Sequence, residues 1–108
     1  MVARSGGDVA LTDDFQVAMV GIYKQALVDC KYKASYFLGM VSERGGVQAA
    51  KDLLGSSSVS DGFTRLWECG RLDLTVEALV LRPEWNALFD EAEREIARKR
   101  LADMGYVP

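Results

Sequence analysis

The stretch FQVAMVGIYKQAL, residues 15–27, decides the fold class. Phe15, Ala18, Met19, Ile22, Tyr23, Ala26 and Leu27 follow the i, i+3, i+4, i+7, i+8, i+11, i+12 spacing without a miss. That spacing puts them on one face of an α-helix. Thr12, Asp13 and Asp14 stand just before it as N-cap candidates, and acid suits the positive end of a helix dipole. The helix is expected to end near Cys30. Residues 1–10, MVARSGGDVA, carry Gly6-Gly7 and no such period, so they read as a flexible N-terminal arm.

Working outward, the same period returns more briefly in Lys33–Arg44, with Ala34, Phe37, Leu38 and Val41. Gly45-Gly46 supplies the left-handed stop that favours a helix C-terminus. Val47–Leu54 makes a third helix stopped by Gly55, and Ser60 or Asp61 caps a fourth that carries Phe63, Leu66 and Trp67 and stops at Gly70. LDLTVEALVL, residues 72–81, is rich in β-branched residues. Thr75 as a cap and the trio Val76, Leu79 and Val80 favour a short buried helix there. Pro83 suits a first helical turn, Trp85, Leu88 and Phe89 form a compact apolar turn, and Asp90 caps a last helix over Glu91–Met104. The expected fold is all-α: a compact bundle of about six or seven short helices in one domain, residues 11–108. Ile22, Tyr23, Leu27, Phe37, Leu38, Leu66 and Trp67 supply most of its core.

A chain of 108 residues, 49% hydrophobic and 27% charged, has room for one core and the composition of an ordinary globular protein. No run of eighteen apolar residues marks a membrane span, and the N-terminus lacks the pattern of a secretory signal. The expected setting is therefore the cytoplasm, with no membrane partner. A net charge of −3 gives no strong pull toward nucleic acid.

Histidine is absent, which removes the usual general base near neutral pH, the commonest zinc ligand and every Ser-His or Cys-His arrangement. Cys30 and Cys69 are the only cysteines, far apart and outside any CxxC pattern. A disulfide, a metal site and a nucleophile are the functional readings. Two reduced, half-buried cysteines on helical faces are the default in a cytosolic setting. No phosphate-binding loop accompanies Gly45-Gly46. The expectation is a chain that is not an enzyme and takes no metal or cofactor.

The densest polar stretch is SDGFTRLWECGRLDLTVE, residues 60–77, where charges alternate closely with apolar residues. Charges so placed are often partly buried and must then be paired. Arg71 with Asp73 or Glu77, and Arg65 with Asp61 or Glu68, are the natural partners. Arg65, Glu68, Arg71, Asp73, Glu77 and Trp85 form the candidate interaction surface, since Arg and Trp are frequent anchors; a salt-bridged structural corner is the other reading. The basic run Arg98-Lys99-Arg100 reads as a solvated helix face paired to Glu91, Glu93 and Glu95. Residues 47–69 bear a loose likeness to a helix-turn-helix, but the turn Gly55–Ser60 is long and Arg65 is the only nearby base.

Three stretches, YKASYFLGMVSERGGVQAAKDLL, SDGFTRLWECGRLDLTVEALVL and PEWNALFDEAEREIARKRLADMGY, resemble a family of small uncharacterised bacterial all-helical proteins. The resemblance covers Tyr32 to Tyr106 and implies a compact bacterial helical unit, with no established activity to carry over. The functional expectation is a non-catalytic protein-interaction module, adaptor or inhibitor, of a bacterial cytoplasm, binding another protein or itself. A small nucleic-acid-binding regulator using residues 47–69 is the alternative.

Overall fold

Phe15 and Met19, one turn apart on the stripe that opens the sequence, have no exposed surface. In the computed structural model, which describes the backbone of residues 2–108 and the side chains of residues 10–108, the other helices are arranged around them. The elements are α1 (Val2–Cys30), α2 (Ser35–Arg44), α3 (Gly46–Gly55), α4 (Asp61–Glu68), α5 (Val76–Val80) and α6 (Glu91–Asp103). Single 3₁₀ turns at Leu72–Leu74 and Pro83–Trp85 complete them. The described residues contain no strand, and the all-α bundle of six helices agrees with the periodicity. No described helix is long and apolar enough to cross a membrane.

α1 is the axis, packed against α2, α3 and α5, while α6 closes the other side against α5 and α3. Phe15 meets Trp85 and Phe89 edge-on, each at 5.2 Å between ring centroids. Gln16 ties the next two helices to α1: its amide donates to the Val41 carbonyl at 3.3 Å, and its oxygen accepts from the Gly46 N–H. A Cβ at Gly46 would lie 2.9 Å from that oxygen and 3.1 Å from Gln16 Cα, so any larger residue forces Gln16 to shift and glycine suits this approach.

Local signals set most boundaries. Ser60 accepts from the Phe63 N–H, Thr75 from the Ala78 N–H, and Asp90 and Glu93 form a reciprocal capping box. Thr12, Asp13 and Asp14 differ: α1 begins upstream of them, so they lie within the helix and not at its start. The flexible arm expected over residues 1–10 falls on positions whose side chains, 1–9, lie outside the described residues.

Two expected core residues are solvent-facing. Leu27 is 40% and Trp67 is 46% exposed. α4 is two turns long and buries the Phe63–Leu66 side, which leaves Trp67 on its flank. Trp85 moves the opposite way: the turn begun by Pro83 folds it under Phe15, and it is buried. On α6 the expected self-pairing holds in part: Glu91 pairs with Arg94 and Arg98 and Glu95 with Arg98, while Glu93 pairs with Lys51 of α3 and Arg100 with Glu77 of α5.

Candidate functional site

α1 and α4 end side by side, and each ends the same way. After Cys30, Lys31 adopts φ 53° and the Tyr32 N–H returns to the Ala26 carbonyl at 3.2 Å. After Cys69, Gly70 adopts φ 75° and the Arg71 N–H returns to the Leu66 carbonyl at 2.8 Å. This left-handed closure satisfies carbonyls that a helix end leaves open. It also places each cysteine just before the reversal, and Cys30 and Cys69 are joined by a disulfide with their Cα atoms 5.9 Å apart. The reading of two reduced cysteines is thus corrected, and neither sulfur is a free thiol nucleophile. The pairing spans 39 positions of sequence and depends on where α4 docks on α1.

Two helix C-termini bring their partial negative charges together at this corner, and Arg71 supplies a cation beside them. Its guanidinium donates to both carboxylate oxygens of Asp73, at 2.9 and 3.0 Å, and to Asp29. The Arg71 hydrogen bonds hold the Asp73 carboxyl below its ordinary range. The Gln25 amide, at 2.7 Å, and then Arg71 do the same for Asp29. Arg71 therefore takes the first of its expected partners, Asp73, and adds Asp29. Asp29 is adjacent to Cys30 but carried no signal as a partner of Arg71.

The remaining candidates separate. Arg65 makes no ion pair with Asp61 or Glu68 among the described residues; its guanidinium stacks over the Tyr32 ring at 4.7 Å. Glu68 is exposed without an ion pair among them. Trp85 lies in the core, its indole N–H buried without a hydrogen-bond partner among the described residues. Glu77 is 3% exposed and accepts from Arg100 of α6 at 3.0 Å. Arg100 also donates to the carbonyls of Leu53, Leu54 and Ser56, capping the end of α3. Burial pushes the Glu77 carboxyl up, against its own backbone N–H and Arg100, which pull it down. Arg100 thus departs from the solvated basic run expected of residues 98–100, since nothing in its local sequence distinguishes it from Arg98.

Between α1, α2, α4 and the start of α5 lies a cavity of about 390 Å³, within the usual range for small-ligand pockets. Ala26, Leu66 and Leu74 pack together as part of its wall, and Cys30 packs behind them. The disulfide corner therefore braces one side of the cavity. Tyr36, 82% exposed, and Val59 line it from the solvent side. Asp61 and Glu77 are the charged residues of the lining. Tyr23 and Tyr32 line it as well, and their hydroxyls have no hydrogen-bond partner among the described residues. Among those residues no group of histidine, cysteine or acidic side chains is arranged to hold a metal ion. The cavity offers apolar burial and hydrogen bonding.

No family model, curated protein or solved structure matches this chain.

Proposed function

We propose that this chain is a non-catalytic binding module that engages a partner protein by receiving one of its side chains in the cavity between α1, α2, α4 and α5. The observation that carries the reading is the cavity itself: about 390 Å³, walled by apolar residues and edged by an exposed tyrosine. Interface anchors fill such pockets with large side chains that are fully desolvated on binding. Of the surface expected at Arg65, Glu68, Arg71, Asp73, Glu77 and Trp85, Glu77 lines this cavity and Arg65 stacks on the lining residue Tyr32. Arg71 and Asp73 serve the corner behind the wall, and Trp85 serves the core.

A nucleic-acid regulator has less support. Five residues, 56–60, separate α3 from α4, Asp61 opens α4, and its one basic side chain is engaged on Tyr32. The family likeness and the bacterial cytoplasmic setting belong to the same proposal, with a consequence from the disulfide. Reductants in that compartment keep thiols open, so a crosslink retained there marks exposure to oxidant. Quantitative closure in cells grown without oxidant overturns the cytoplasmic setting.

The test is selection from a displayed peptide library against the natural chain and against Gly62→Leu. Gly62 lines the cavity, and a Cβ there lies 3.5 Å from Tyr32 Oη, an ordinary contact, so a larger side chain is introduced at the lining from a tolerated first atom. Peptides sharing one large anchor residue, retained by the natural chain and lost by a folded Gly62→Leu, are expected. No enrichment, or equal binding to both proteins, removes the cavity as the recognition element.

A further inference from the structure

The cavity's lining is uneven in charge and in ring content, and the difference points to the chemistry of its occupant. Five aromatic side chains, Tyr23, Tyr32, Tyr36, Phe37 and Phe63, contribute to it. Aromatic faces attract cations through the ring quadrupole, and Tyr32 already holds the Arg65 guanidinium at 4.7 Å from its centroid. Two carboxylates line the cavity, and no lysine or arginine does. Glu77 is matched by Arg100, whereas Asp61 has no ion pair or hydrogen bond from its side chain among the described residues. One aspartate at the opening therefore has no cationic side chain as partner among them and meets only the partial positive charge of the α4 N-terminus.

We infer that the group this cavity accepts is an ammonium on an apolar stem, as a partner's lysine side chain presents it, with the stem against Ala26, Leu66 and Leu74 and the charge near Asp61 and the tyrosine rings. This rests on the cavity reading above and goes further by fixing the sign of the charge. An anionic group of the same size meets the Asp61 carboxylate and the negative ring faces, with no lining cation to offset either. Arg65 is the nearest base on α4, and it is held on Tyr32 outside the lining.

The test uses three indoles of nearly equal shape: tryptamine, tryptophol and indole-3-acetate, which are cationic, neutral and anionic. Each is titrated into the full chain at low ionic strength, with backbone amide shifts read at Ala26, Gly62 and Leu74. Tryptamine is expected to bind at least about fivefold more tightly than indole-3-acetate, from one unit charge near another in a largely solvated site. Tryptophol falls between them. The preference shrinks in Asp61→Asn, an exposed change, while tryptophol binding is retained. Indole-3-acetate binding as tightly as tryptamine overturns the charge inference and leaves the cavity reading standing. A preference unchanged in Asp61→Asn overturns the placement of the charge. Shifts confined to other parts of the chain, or no binding by any of the three, overturn the inference and the cavity reading together.

Discussion

Cys30, the last residue of α1, is bonded to Cys69, the C-cap of α4, and each sits immediately before a left-handed residue, Lys31 or Gly70. The crosslink thus joins two helix ends of the same construction. It holds them against the mutual repulsion of their carbonyl ends, which Arg71 also offsets.

Opening that bond frees a long loop in the unfolded chain. For a sequence separation of 39, the chain-entropy relation gives about 4 kcal/mol of stability. Denaturant unfolding with and without a dithiol reductant should show a loss of that order. Cys30→Ser/Cys69→Ser should match the reduced protein and be indifferent to reductant. A difference below about 1 kcal/mol would mean that the corner is held without the bond.

Arg71 should control the acid limb of the stability curve. Asp29 and Asp73 titrate lower in the folded chain than unfolded. Their contribution is therefore present above the ordinary aspartate value of about 3.9 and is lost as pH falls through the folded values. Arg71→Gln removes a hydrogen-bond partner of both, so its acid unfolding midpoint should move to higher pH. Circular dichroism against pH checks this, and coincident curves would deny Arg71 the role.

Glu77→Ala leaves Arg100 half-buried without its carboxylate, a loss that typically costs about 3–5 kcal/mol. Glu77→Gln keeps an acceptor for Arg100 and should lose less. The sign against pH is also set. Burial raises the folded carboxyl above its ordinary value, so the folded chain binds that proton more tightly. The favourable contribution of Glu77 is full below about 4.3, the unfolded value, and declines as pH rises through the folded one. Glu77→Gln should flatten that decline in denaturation series taken across this range.

Gly46→Ala should lower stability by about 1–3 kcal/mol, the usual cost of overpacking, because the added Cβ meets Gln16 backbone and side chain. Gly39→Ala, where a Cβ meets nothing within 4 Å, is the control. Equal thermal midpoints for the two variants would show that α1 and α3 can separate without penalty.

The sequence alone determined what local physics determines. The stripe from Phe15 to Ala26, the caps at Ser60, Thr75 and Asp90, and the stops at Gly45 and Gly70 depend on neighbours within about one or two helical turns. They yielded an all-α bundle and most of its boundaries. What tertiary structure decided lies between residues far apart in the chain. Cys30 finds Cys69, Arg71 finds Asp29, and Arg100 finds Glu77 across 23 residues. In the sequence Arg100 looks like Arg98 and Trp85 looks like Trp67, since a side chain's type is the same whether its helix turns it in or out. Only the docking of α4, α5 and α6 on α1 buried one of each pair, joined two helix ends and left a cavity beside them.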